Sequence, residues 1–311
     1  MSGSPDGRVS RMGLIVAFGN PVYDEIVTPS VQTAGRVLSG CSTNGCLALA
    51  RLGHQTALVG RVGADRHEGL LDELRRHGIL ARVEPGAETG GFQLVYDTRG
   101  ERTLDVLGVA DPIAHIPDEC ADARALIIGP ILQETPLDFI ERICERSEAP
   151  VFLDPQGLLR RIGAGGRVEH FAPEGFERVA RRCEVVKANE LEAAVLTGIA
   201  PRNDPAGAAR ALRELGCRIA IVTLAEAGSV VDSGERQWFI PAYPTEAHDP
   251  TGAGDTYMAG FVHAYLKDPA DLYGAGCYGA ALASIWIEHT GPDAPISQQE
   301  AARRWRYLLE R

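Results

Sequence analysis

The sequence predicts an α/β fold: a central, mostly parallel β sheet flanked by helices on both faces, carrying a small antiparallel β lid. Three observations predict it. Short apolar runs recur along the chain, helical patterns fall between them, and two polar, β-prone segments interrupt the alternation. A continuous apolar run marks a strand covered on both faces, and strands alternating with helices build a parallel sheet.

The elements follow in chain order. Residues 1–12, rich in Gly, Ser and Arg and without apolar periodicity, read as a flexible tail, and one α/β domain is expected over 13–311. Leu14-Ile15-Val16-Ala17-Phe18, ending at Gly19, is the first strand. Runs at Ala57–Val59, Ala125–Ile128, Val151–Leu153, Glu184–Val186 and Ile219–Thr223 supply further strands. Leu, Ala and Arg at i, i+3, i+4 spacing mark helices over Glu68–His77, Leu137–Arg146 and Pro205–Leu215. From Gly252 onward the chain reads as helical, over Ala253–Tyr265, Gly274–Glu288 and Ser297–Leu309. The segments 25–38 and 91–106 alternate weakly and lack an intervening helix, so they do not fit central parallel strands and are assigned to the lid.

Composition narrows the function classes. A hydrophobic fraction of 45% and a charged fraction of 23% are those of an ordinary globular chain, which excludes disordered and fibrous classes. Lys and Arg number 31 against 42 Asp and Glu, a net charge of −11, so binding to a nucleic-acid backbone by counterion release is disfavoured. No stretch approaches the ~20 uncharged apolar residues of a membrane span, and the polar start lacks a signal-peptide core. A soluble, cytoplasmic protein with no membrane partner is expected. Cys41, Cys46, Cys120, Cys144, Cys183, Cys217 and Cys277 form an odd set with no zinc spacing, and read as buried or idle thiols in a reducing compartment.

The stretch Asp249-Pro250-Thr251-Gly252-Ala253-Gly254-Asp255-Thr256 carries the chemistry. Small residues opening a helix let the backbone N–H groups of Gly252, Ala253 and Gly254 converge where the helix dipole also favours negative charge, making an anion hole. Asp255 at its mouth is unsuited to phosphate binding alone, because like charges repel. It suits a base that accepts a proton from a hydroxyl attacking a phosphoryl group. Read without context, the same residues are also a glycine turn with an Asp cap.

Further elements decide between these readings. The stretch resembles the C-terminal signature D-[TP]-x-G-A-G-D of the PfkB/ribokinase family of carbohydrate and nucleoside kinases. Ser39-Gly40-Cys41-Ser42-Thr43-Asn44-Gly45 resembles that family's G-G-x-x-x-N substrate loop, with Ser39 replacing the first glycine. Gly19-Asn20-Pro21-Val22-Tyr23-Asp24 resembles its first strand end, Lys187-Ala188-Asn189-Glu190-Leu191-Glu192 its N-x-x-E element, and Val222-Thr223-Leu224-Ala225-Glu226-Ala227-Gly228 its T-L-G-x-x-G nucleotide loop. Order and spacing hold from residue 14 to about 297. The resemblance implies a ribokinase-like fold and ATP-dependent phosphorylation of an alcohol on a small polyhydroxylated substrate.

The resemblance also implies roles residue by residue. Asp255 is the base, with Gly252, Ala253 and Gly254 as its anion hole. Asp24 takes two substrate hydroxyls, and Gly40 and Asn44 line the substrate loop. ATP lies along Asn189, Thr223, Ala225, Gly228, Thr251, Gly252 and Gly254, with Ala280 and Ala283 beside it. Asn189 and Glu192, three apart at a helix start and so on one face, suit the water shell of Mg²⁺. Without that context the pair is an ordinary solvated helix face, and Asn44 a plain helix cap. Ala225 departs from the usual glycine, which narrows the loop if its φ is positive. Several family members also bind a monovalent cation such as K⁺ beside the anion hole. Asp249 and Thr251 match the first part of that site, and the loop Gly291–Pro295 is the candidate for the rest. A homodimer through the lid is also implied.

The substrate stays open. Phe92, Gln93 and Arg102 are the lid's candidates for substrate contact. The Asp154-Pro155-Gln156-Gly157 run looks like the inositol kinases of the family, with Gln156 a candidate contact and Gly157 leaving room beside a ring, while Gly-Asn-Pro-x-x-Asp is similar to adenosine kinases. A cyclitol such as myo-inositol is ranked first. A nucleoside, with only Phe92 and Tyr23 as aromatic neighbours for a base, comes second, and simple sugars third. A non-catalytic sugar or nucleotide sensor on the same fold has no need of Asp255, and a Rossmann dehydrogenase needs a G-x-G-x-x-G that Gly19–Asp24 does not supply.

Overall fold

The computed structural model describes residues 13–97 and 102–311; the tail expected over 1–12 lies outside the described residues. The chain starts with β1 (Ile15–Phe18), β2 (Val22–Val27), β3 (Val37–Ser39), α1 (Cys41–Arg51), β4 (Thr56–Gly63), α2 (His67–Arg76) and β5 (Ile79–Gly86). It continues through β6 (Gly91–Tyr96), β7 (Arg102–Gly108), β8 (Ala125–Ile128), α3 (Leu137–Glu145), β9 (Val151–Leu153), β10 (Arg160–Ile162), β11 (Val168–His170) and α4 (Phe176–Ala180). The last part is β12 (Val185–Asn189), α5 (Glu190–Thr197), α6 (Pro205–Glu214), β13 (Ile219–Thr223), β14 (Ser229–Asp232), β15 (Gln237–Ile240), α7 (Ala253–Tyr265), α8 (Leu272–Trp286) and α9 (Gln298–Leu309).

The main sheet runs β15-β14-β13-β12-β9-β8-β1-β4-β5, parallel from β5 through β13 and closed by the antiparallel pair β14 and β15. Each predicted apolar run is one of its strands, and the reason is visible in the two cores. Ile15, Ala17, Phe152, Val185, Ile219 and Ile221 face α1, α7, α8 and α9, whereas Val16, Phe18, Leu153, Val186, Ala220 and Val222 face α3, α4 and α6. Alternate residues of one strand point to opposite faces, so burial on both faces demands an unbroken apolar run. Gly260 of α7 lets α8 approach closely: a Cβ there would lie 2.9 Å from the Cα of Gly279.

The second sheet, β3-β2-β6-β7, is the expected lid, with one difference. Its outer pairs are antiparallel, but β2 and β6 run parallel, because the chain between them passes through α1, β4, α2 and β5 rather than a hairpin. The lid also starts earlier and ends later than its weak alternation indicated, at Val22 and Gly108. Val22, Ile26, Phe92, Leu94 and Tyr96 form its inner face and pack with Cys41 and Ile131. All seven cysteines are free, and no helix among the described residues is long and apolar enough to cross a membrane.

Candidate active site

The site is built on the first turn of α7. Gly252 caps the helix in the left-handed conformation, φ 83°, and any Cβ on it would come within 2.7 Å of Trp286 Nε1 and 2.9 Å of Asn44 Nδ2. Only glycine meets both demands. Among the described residues the amides of Gly252 and Gly254 find no acceptor, as the first N–H groups of a helix do not, while the amide of Ala253 turns back onto the Pro250 carbonyl at 3.2 Å. Asp255 is not the cap. It stands three residues further in and accepts from Asn44 Nδ2 at 2.9 Å, across 211 residues of chain. Asn44 is not a cap either, since α1 begins at Cys41. Burial, reinforced by Asp154, pushes the Asp255 carboxyl above its usual range, and Lys187, Asn44 and Cys41 oppose the rise.

Lys187 and Asp154 are the principal residues to which sequence reasoning gave no role. Their side chains pair at 2.7 Å, with 3% and 2% exposed, and the ammonium lies 2.6 Å from where a Cβ of Gly254 would stand. Burial opposes the ammonium's charge, but Asp154 and Glu192 more than offset it, so Lys187 is held protonated. A buried cation therefore adjoins the anion hole. Cys41 closes the cluster, its Sγ and the Asp154 and Asp255 carboxylate oxygens lying within 4.8 Å of one another. Glu192 is no solvated helix face. It is 2% exposed and locked with Asn189 in a capping box, its two oxygens accepting from the backbone N and Nδ2 of Asn189 at 2.9 and 2.8 Å.

Asp24 sits on the lid's inner side, accepting from the Phe92 amide at 2.8 Å and from Ser39. Burial raises its carboxyl from 3.8 to about 6 despite those bonds and the nearby Arg160 and Arg102. Gly40 (φ 118°) brings the substrate loop to within 2.9 Å of Asn20 O at its would-be Cβ. Gln156 accepts from Arg160 Nη2 at 2.7 Å, and that guanidinium lies 6.0 Å from the centre of the Phe92 ring. Arg102, paired with Tyr96 across β6 and β7, shares the lid's inner face, and Tyr96 Oη meets Thr251 Oγ1 at 3.0 Å.

Three expectations change here. Gln93 lies opposite Glu25 on the outer face of the lid and donates to it at 3.3 Å, because strand alternation puts it on the other side from Phe92. Tyr23 is buried in the main core under the Arg66 guanidinium, away from Asp24. Gly157 leaves no room for a ring: its would-be Cβ falls 2.4 Å from the Pro130 backbone, so the glycine serves close chain approach.

Toward the nucleotide-loop end, Thr223 closes β13 beside Asn189 and opposite Ser229. Gly228 (φ 93°) has Ile240 O at 2.1 Å from its would-be Cβ, which requires glycine. Ala225 has φ 47°, the strained conformation that its methyl makes costly. Ala280 and Ala283 lie on α8, two turns and one turn before Trp286. Each Glu192 oxygen accepts one bond from Asn189 and keeps a lone pair to which a water of Mg²⁺ could donate, so the pair fits an ion held through its waters and not by direct ligation. The residues matched to a K⁺ site do not fit it, since their acceptors are taken by the protein's own donors. Asp249 accepts from the Thr251 amide at 2.9 Å, and the Thr251 carbonyl accepts from Trp286 Nε1 at 2.9 Å.

A lidded α/β fold whose last third opens on a glycine-rich anion hole with a half-buried carboxylate is that of a small-molecule kinase. The chain belongs to the pfkB family of carbohydrate kinases, whose pattern matches residues 13–299. It is 40% identical, over 319 residues, to a nucleoside kinase of Methanothermobacter thermautotrophicus, with 94% of this chain and 97% of that protein covered. Among solved structures, a pyrophosphate-dependent kinase of the ribokinase family complexed with a pyrophosphate analog and myo-inositol superposes with a TM-score of 0.78 at 21% identity, covering 93% of this chain and 99% of that one. A Burkholderia thailandensis nucleoside kinase in complex with ADP and inosine superposes at 0.76, with 21% identity and 96% of each chain covered.

Proposed function

We propose that the chain is an ATP-dependent nucleoside kinase that phosphorylates a hydroxyl of the sugar. The observation that carries this reading is a diol acceptor set under an apolar roof: Asp24 lies beside Phe92, and Leu104, Val106, Ile131 and Val168 pack into the same cluster. A carboxylate accepts two vicinal hydroxyls with its two oxygens, and a nucleobase needs an apolar slot. The 40% identity to a nucleoside kinase supports it. The cyclitol reading loses its spatial argument at Gly157 and keeps the likeness of fold to kinases that act on myo-inositol.

In this reading Asp255 accepts the proton of the attacking hydroxyl, and Asn44 holds its carboxylate in place. Lys187 and the free amides of Gly252 and Gly254 stabilise the charge that develops on the transferring phosphoryl group. Asn189 and Glu192 would hold Mg²⁺ through its waters, and the ion would supply neutralisation of phosphate charge. The lid keeps water from the phosphoryl group. The lid's outer face, where Glu25, Gln93 and Val95 point away from the cleft, is the proposed homodimer surface, which size-exclusion chromatography tests.

The deciding experiment is an ADP-release screen over nucleosides, cyclitols, ribose and fructose. A nucleoside is expected to exceed every cyclitol in kcat/KM by at least ~10-fold, about 1.4 kcal/mol in transition-state binding. A cyclitol ahead by that margin reverses the assignment.

A further inference from the structure

The groups matched to a monovalent-cation site are engaged from within. Trp286 Nε1 holds the Thr251 carbonyl, Asp249 turns onto the Thr251 amide, and in the loop 291–295 the Pro292 carbonyl accepts from Arg51 Nη2. Arg51 closes α1, and its guanidinium lies 6.0 Å from the centre of the Trp286 ring, with Asp293 as its acidic neighbour. Its second terminal nitrogen, Nη1, is buried with no partner among the described residues. A fixed positive charge thus backs the indole that props the Gly252 turn, whose would-be Cβ stands 2.7 Å from Trp286 Nε1.

We propose that Arg51, acting through Trp286, fills the role of the monovalent cation, so that this kinase works without K⁺. The physical grounds are charge and ligand supply. A cation site needs several free oxygens, and here the carbonyls of Thr251, Pro292 and Ala294 are each donated to by a nitrogen. A second positive charge beside the Arg51 guanidinium, whose Nη1 has no hydrogen-bond partner among the described residues, is also repelled. Arg51 is a positioning residue: it touches neither the reacting hydroxyl nor the phosphoryl group, and it acts by fixing the turn that forms the anion hole. The inference rests on the reading of that turn as the phosphoryl site.

Two measurements test it. Thermal melts of the full chain in KCl, NaCl and choline chloride at equal concentration, about 100 mM, are expected to agree within ~1 °C, because a ligand of the folded state raises its melting point. A K⁺-specific rise of roughly 3 °C or more overturns the proposal. This arm needs no substrate, so it stands whichever way the acceptor screen falls. The second arm uses the best acceptor of that screen. Wild-type kcat should differ by less than ~2-fold between KCl and choline chloride, and a stimulation above ~10-fold overturns the proposal. Arg51→Ala should lose about 10-fold in kcat in choline chloride with KM for the acceptor little changed, recover part of it in KCl, and be surpassed by Arg51→Lys. A folded Arg51→Ala with unchanged kcat in choline chloride removes Arg51 from the role. If Arg51→Ala does not fold, Arg51→Lys and the wild-type cation series still decide.

Discussion

Two carboxylates in the cleft, the buried Asp24 and the half-buried Asp255, are held above their ordinary range, and the proposed function gives them different duties. Asp255→Asn keeps the bond to Asn44 possible but takes no proton, so kcat should fall at least ~10²-fold while the acceptor still binds. Comparable kcat in a steady-state assay would remove the base assignment. Asp24 makes a second, opposite-looking prediction. Its carboxyl is raised by burial to about 6, so its contribution to stability is fully present below about pH 4 and lost as the pH rises through 6. Asp24→Asn therefore stabilises the fold at pH 7 by roughly 2–3 kcal/mol, with no gain at pH 4, while raising the acceptor KM far more than the ATP KM. Melting curves at the two pH values check the first half and steady-state kinetics the second; a variant less stable at pH 7 than wild type contradicts the sign.

At the scale of single elements, the loop between β13 and β14 holds stored strain. Ala225 stands at φ 47°, where a methyl costs about 1–2 kcal/mol, so Ala225→Gly should raise the melting temperature by a few degrees. A lower melting temperature would show that the methyl's contacts outweigh its strain. This position was legible from one residue, because the glycine it replaces is defined by backbone conformation alone. The same holds for Gly252 and Gly228, and for strands buried on both faces. What escaped notice has a common cause. β5 and β15 are edge strands with polar, partly exposed positions and so make no apolar run, and β14 carries only Val230 and Val231 between a serine and an aspartate. The Lys187–Asp154 pair exists because β12 lies beside β9, a neighbour relation that no local pattern records. Gln93 is the reverse case, since alternation along β6 already separates it from Phe92.

For the molecule as a whole, lid and body meet through few polar contacts. Tyr96 Oη reaches Thr251 Oγ1 at 3.0 Å, and Thr28 Oγ1 donates to the His248 carbonyl at 3.0 Å, so both fasten the lid to the stretch that leads into α7. Removing the first by Tyr96→Phe should cost about 1 kcal/mol of closure and admit water. The expected sign is more ATP hydrolysed per acceptor phosphorylated, read by comparing ADP release with product formed. A ratio equal to wild type would show that the latch does not govern closure.

The separation of 211 positions between Asn44 and Asp255 also sets a clock on synthesis. At ribosomal speeds roughly 10 to 40 s pass between the emergence of the two partners. Through that interval the sheet face built from Ile15, Phe152, Val185 and Ile219 waits for Phe261 and the rest of α7 and α8, with much of its apolar surface bare. The nascent chain therefore exposes most apolar surface just before α7 and α8 emerge, and phosphotransfer, which depends on those helices, reports that the chain has been made and folded at least through Trp286.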